Sequence, residues 1–143
     1  MENVYSILEW GEGLAVTEWD WKDPRVQRLR DLCNKSTTQT NDVYWFEKEL
    51  YEKDGRVELV VSNLVAYYAH NEGLPVREAM QKVLDLCREY EREFELISRD
   101  VDMDDGICDD TKVFIRGIKC MIPDNIHMSL VLPRFNDQSL LRK

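Results

Sequence analysis

Apolar positions recur every third or fourth residue along most of this chain. The clearest run is Val76, Met80, Val83, Cys87, Tyr90, Phe94 and Ile97. That spacing lays one apolar stripe along a helix and predicts a helix from about Leu74 to Ser98. Pro75 falls in its first turn, where a missing N–H costs nothing. Arg77, Glu78, Lys82, Arg88, Glu91, Arg92 and Glu95 form the outer face, a solvated surface with weak near-neighbour ion pairs. A second helix is predicted to open at Asp23-Pro24, with Asp23 as N-cap, and to run through Val26, Leu29, Leu32 and Cys33. It continues or resumes from Asn41 to Glu52. Between Val57 and His70, apolar residues at 57, 60, 61, 64, 65 and 68 keep a helical step. The β-branched residues there admit a strand, but the length favours a helix, stopped by Asn71-Glu72-Gly73. A further helix is expected from Asp110-Thr111 to Met121, with Pro123 interrupting it. No stretch alternates convincingly as a strand, so the expected class is all-α, with four or five helices. No repeat, low-complexity tract or flexible linker divides the chain, and residues 1–143 read as a single domain.

Charge narrows the range of partners. Lys+Arg number 19 and Asp+Glu 28, a formal net charge of −9. Phosphate backbones and anionic lipid recruit basic faces, so neither nucleic acid nor membrane is expected as a partner. The longest apolar stretch, Val57 to Ala69, is broken by Glu58, Ser62 and Asn63 and is too short and polar to span a bilayer. No basic segment followed by an apolar one opens the sequence, so no secretory signal is expected. Cys33, Cys87, Cys108 and Cys120 have no C-x-x-C spacing, and neither His70 nor His127 joins them in a zinc pattern. They read as free thiols in a reducing compartment, and a cytoplasmic location is expected. Neither histidine has a Ser, Cys or Asp at a triad spacing, and Gly11 with Gly13 matches no phosphate-binding loop.

The most acidic stretch, Asp100 to Asp110, tempts an EF-hand reading. Asp100, Asp102 and Asp104 occupy the first, third and fifth ligand positions. The sixth then falls on Asp105, where the turn needs Gly, and the twelfth on Thr111, which cannot replace a bidentate Glu. A solvated loop between helices is the expected reading.

Chemistry concentrates between Thr40 and Glu49. On a helix, residues seven apart differ by only about 20° in azimuth, so Asp42 and Glu49 share a face. Asn41 lies roughly 80° from Glu49, and Lys48 falls on the azimuth of Asn41. Oxygen ligands with positions left for water suit Mg²⁺, which is usually shared with substrate phosphates. The same residue types also make an ordinary solvated helix face, and periodicity does not separate the two. Trp10, Trp19, Trp21, Tyr44 and Phe46 read either as the lining of an apolar pocket or as core.

The stretch resembles the second metal motif of class I terpene cyclases, N-D-x-x-S-x-x-K-E. This chain has Asn41 and Asp42, then Trp45 in place of Ser, then Lys48 and Glu49. Upstream, Trp10 to Val16 is similar to the glycine-containing turn before the motif helix in fungal chimeric synthases. Downstream, Gly73, Leu74 and Ala79 resemble the opening of the helix that follows it. Leu132-Pro133-Arg134-Phe135 resembles the P-R-Y ending, with Phe135 for Tyr. The resemblance covers nearly the whole chain in the family's order. It implies the C-terminal half of an α-helical barrel and a Mg²⁺-dependent ionisation and cyclisation of a linear prenyl diphosphate. Residue by residue, it implies Asn41 and Glu49 as ligands, with Asp42 assigned to the same metal set as a supporting carboxylate. It implies Lys48 and Arg134 as diphosphate contacts, and Phe135 and Trp45 at the substrate. The Trp45 replacement removes an oxygen from the metal and predicts weakened or absent binding there. The family's aspartate-rich motif, expected far upstream, has no counterpart in this sequence. Asp104, Asp105 and Asp109 imitate its spelling on the wrong side of Asn41. Weak or absent activity is therefore expected of the isolated chain, with a complementary half or a second copy as partner. The alternative is a catalytically inactive remnant that serves as a helical interaction module.

Overall fold

The computed structural model describes residues 2–131, and Arg134 and Phe135 lie outside the described residues. Every regular element among the described residues is helical: α1 (Glu2–Glu12), α2 (Glu18–Lys22), α3 (Pro24–Glu52), a 3₁₀ turn (Val57–Leu59), α4 (Leu64–Asn71), α5 (Val76–Asp102) and α6 (Asp109–Val131). The all-α expectation holds. Among these residues no helix is long and apolar enough to cross a membrane.

Local chemistry explains most boundaries. Thr17 Oγ1 accepts the Asp20 N–H at 3.1 Å and starts α2. Asp23 Oδ1 accepts the Arg25 N–H at 2.8 Å, and Pro24 takes the first position of α3. The helix then runs unbroken through the Asn41 segment. It closes where Asp54 and Gly55 turn left-handed, at φ 54° and 75°.

Three expectations need correction. The sequence reading placed no helix before Asp23, yet α1 and α2 both lie there. The segment 57–70 is not one helix: a 3₁₀ turn ends at Leu59, and α4 starts afresh behind the cap of Asn63. Pro123 does not interrupt α6, which continues to Val131. Proline removes one N–H and frees the carbonyl four residues earlier, at Lys119. Both Pro123 and Lys119 are exposed, so water can satisfy what the ring leaves open.

The chain divides into two compact units. Among the described residues, one comprises 2–36 with 89–122, the other 37–88 with 123–131. The core of the first unit gathers Tyr5, Val26, Leu29, Leu32, Phe94, Val101, Phe114, Ile115 and Ile118. The Tyr5 and Trp21 rings meet Phe114 edge-on, with centroids 5.9 and 5.1 Å away. Arg30 stacks over both, 4.4 Å from Trp21 and 5.1 Å from Tyr5. Gly117 permits a close approach of α6 to α1, since a Cβ there would come 2.7 Å from Leu8 Cδ2. Arg28 binds Glu93 through two parallel bonds of 2.7 and 2.8 Å.

The acidic stretch is also more structured than a solvated loop. Asp100 and Asp102 still belong to α5, and Asp109 already belongs to α6. Arg25 bonds Asp100 at 3.0 Å and Asp104 at 2.8 Å, while Val101 and Ile107 are buried. Asp104 Oδ1 accepts the Gly106 N–H at 2.8 Å, so this carboxylate serves the turn.

The second unit packs Phe46 of α3 with Val60, Val65, Ala66, Ala79 and Val83. Lys82 lies 4.0 Å from the centre of the Tyr68 ring and also pairs with Glu72.

Candidate functional site

The second unit holds the residues singled out by the motif. Asn41, Asp42, Trp45, Lys48 and Glu49 occupy successive turns of α3, all half-buried. Asp42 and Glu49 share a face, and that face meets the start of α4 through Asn63. Asn63 Nδ2 donates to the Asp42 carbonyl at 2.8 Å and to Glu49 Oε2 at 2.9 Å. Its Oδ1 accepts from Val65 N–H at 2.9 Å and Ala66 N–H at 3.4 Å. The amide orientation is thereby fixed, with oxygen facing donors and nitrogen facing acceptors. Asp42 Oδ2 accepts the Leu64 N–H at 2.9 Å. The first N–H groups of α4 are thus satisfied from two sides, which the 3% exposure of Asn63 makes necessary.

Among the described residues, these bonds to the carboxylate pair come from neutral donors, the Asn63 amide and the Leu64 N–H. Burial pushes the Asp42 carboxyl above its ordinary value, the Leu64 N–H opposes the shift, and the neighbouring Glu49 charge adds to it. Asp42 Oδ1 and Glu49 Oε1 are not taken by the bonds to Asn63 and Leu64. The nearby cation is directed elsewhere. Lys48 Nζ lies 5.1 Å from the centre of the Trp45 ring and 3.9 Å from Glu52 Oε1.

The aromatic candidates separate into different settings. Trp10 and Trp19 are 87% and 85% exposed, and Tyr44 is exposed as well. Trp21 joins the first core and Phe46 the second. A shallow hollow at the end of α3 is lined by Glu47, Leu50, Tyr51, Glu52, Asp54 and Gly55, none of them a candidate ligand.

Among the described residues, no group of three or more His, Cys, Asp and Glu side chains forms a metal cage. The donor set around Asp42 is smaller: two carboxylates, with the Asn41 amide on the preceding residue. Mg²⁺ usually takes one or two carboxylates and completes its shell with water and phosphate oxygens. The set therefore fits an ion shared with a phosphate-bearing ligand, with Trp45 supplying no oxygen where the motif has Ser. Asn63 escaped the sequence reading. An Asn immediately before the apolar run Leu64, Val65, Ala66 is an N-cap signal, and it marked the residue.

Residues 1–93, which contain the whole Asn41–Glu49 segment and Asn63, match the family model described as terpene synthase family 2, C-terminal metal binding. The chain belongs to this family, and its helices are those of an all-α terpene synthase fold. It is 22% identical over 134 residues to sesquiterpene synthase 6 of Postia placenta, covering 93% of this chain and 37% of that protein. It is 22% identical over 135 residues to the bifunctional type I diterpene synthase tndC of Aspergillus flavipes, covering 94% of this chain and 17% of that protein. Phomopsene synthase of Phomopsis amygdali is 30% identical over 104 residues, 71% of this chain and 14% of that protein. The chain spans well under half of the length of each of these curated relatives.

Proposed function

We propose that this chain provides the second metal motif of a class I terpene cyclase that acts on a linear prenyl diphosphate with Mg²⁺. The observation that carries this reading is the half-buried pair Asp42 and Glu49, joined through Asn63 inside a stretch matched by a metal-binding family model. Asn41 and Glu49 would hold the ion, and Asp42 would support them while keeping the first turn of α4 in place. Bound there, Mg²⁺ supplies Lewis-acid stabilisation of the departing diphosphate. Lys48 and Arg134 would hold the diphosphate, and Trp45 and Phe135 would border the substrate. An acidic protein is suited to such an anion, because the metal stands between the two charges. Residues 1–143 would act as one domain in the cytoplasm. An aspartate-rich complementary chain, or a second copy, is the partner proposed alongside the substrate.

Relatives named for sesquiterpene and diterpene synthesis make C15 and C20 diphosphates the substrates to try. Incubation with Mg²⁺ and each diphosphate, followed by gas chromatography, is expected to give a weak hydrocarbon or alcohol product that Glu49→Ala abolishes. Product that is unchanged in Glu49→Ala, or absent with every diphosphate and partner tried, would reject the reading.

A second reading is favoured by the surface. Trp10, Trp19, Val61 and Met103 are each at least 85% exposed, and Trp45 replaces a metal-binding oxygen. In that reading the chain is a catalytically silent helical module that pairs through apolar faces. Light scattering tests it: self-association without product would favour this alternative, and a clean monomer would reject it.

A further inference from the structure

We infer that Asn63 is a positioning residue for the metal: its amide pins one oxygen of Glu49 and leaves the other for an ion. The inference rests on the metal reading proposed above and adds to it a residue outside the motif. Glu49 has three rotatable side-chain bonds, and a half-buried carboxylate that must meet an ion gains from having that freedom removed in advance. Asn63 does this from a fixed base. Its Oδ1 is held by two N–H groups of α4 at 2.9 and 3.4 Å, and one of its N–H bonds goes to the Asp42 backbone at 2.8 Å. The remaining N–H meets Glu49 Oε2 at 2.9 Å. One buried amide therefore ties the backbone at residue 42, the carboxylate seven residues later and the start of α4 into a single arrangement.

The chemistry of the donor supports the assignment. An arginine or lysine at this point would orient Glu49 and also cancel its charge. An amide orients without cancelling, so the full negative charge stays available to a cation. Lys48, the basic residue next to Glu49 on the same helix, lies with Trp45 and Glu52 instead. Capping alone does not account for Asn63. Serine would cap α4 as well, but it is too short to reach Glu49 while doing so.

That distinction makes the test. Mn²⁺ binding to the full chain, followed by electron paramagnetic resonance, should be compared in wild type, Asn63→Ser and Asn63→Ala. Asn63→Ser is expected to keep the protection of the α4 amides against hydrogen exchange while losing about 10- to 100-fold in Mn²⁺ affinity. Asn63→Ala is expected to lose both. Wild-type affinity in Asn63→Ser would overturn the positioning role and leave the metal reading standing. Absence of Mn²⁺ binding in the wild type would overturn both. A metal-free measurement adds an independent check. In Glu49→Ala the side-chain NH₂ resonances of Asn63 should move, and unchanged resonances would overturn the inference.

Discussion

Each of the two units holds an aspartate that meets the start of another helix, and their surroundings drive them in opposite directions. In the first unit, Asp20 is 5% exposed and meets the start of α6. Its Oδ2 accepts from Thr111 Oγ1 at 2.6 Å and from the Cys108 N–H at 3.2 Å. Burial pushes its carboxyl up, but the bonds from Thr111 and Cys108 outweigh burial and hold it below the ordinary value. In the second unit, Asp42 meets the start of α4 with one N–H, from Leu64, and has Glu49 beside it. There burial wins, and the carboxyl rises. A buried carboxylate supplied with enough donors is part of the scaffold. A half-buried one with a single described donor, beside a second carboxylate, is where the proposed cation would lower the energy.

The largest expected effect tests the first half of that contrast. Asp20→Ala removes the acceptor for Thr111 and Cys108 and should cost about 2–3 kcal/mol, read as a fall in the urea midpoint. A loss below about 0.5 kcal/mol, the level of an ordinary surface change, would break the comparison.

Acid titration should show opposite slopes. Asp20 has a lowered folded value, so its stabilisation is present above the ordinary aspartate value and is lost as pH falls through the folded one. Asp42 has a raised folded value, so its contribution is full below the ordinary value and is lost as pH rises through the folded one. Urea midpoints in metal-free buffer should therefore fall less steeply toward acid in Asp20→Asn. In Asp42→Asn the loss on the rising side should disappear. Parallel curves for the two variants would contradict the assignment.

The smallest effect is expected from Asp42→Asn at neutral pH. Asparagine can still accept the Leu64 N–H while relieving the repulsion from Glu49, so stability should stay within about 0.5 kcal/mol of wild type. The contrast with Asp20→Ala is sharpest if both are measured in one series.

Periodicity and caps made much of this legible in advance. The apolar stripe of α5 follows directly from Val76, Met80, Val83, Cys87 and Phe94, and Asp23-Pro24 marks the start of α3. The misreading of 57–70 has a clear cause. Its apolar residues keep helical spacing across the break, so periodicity continued where the backbone did not. The cap at Asn63 was the local signal that decided the matter. Pro123 misled in the other direction, because a proline on an exposed helix face is tolerated where a buried one is not. At the site, Asp42 and Glu49 were visible from a seven-residue spacing. Their shared partner was not, since a contact across 14 or 21 residues has no periodic signature.

The tryptophans turn this architecture into an optical instrument. Of the four, Trp10 and Trp19 are exposed to water, while Trp21 and Trp45 are half-buried. With the first three replaced by phenylalanine, only Trp45 would glow, one helical turn from Glu49 on one side and from Asn41 on the other. The residue that departs from the family's pattern thereby becomes a native lamp, whose colour and lifetime report on whatever settles beside it.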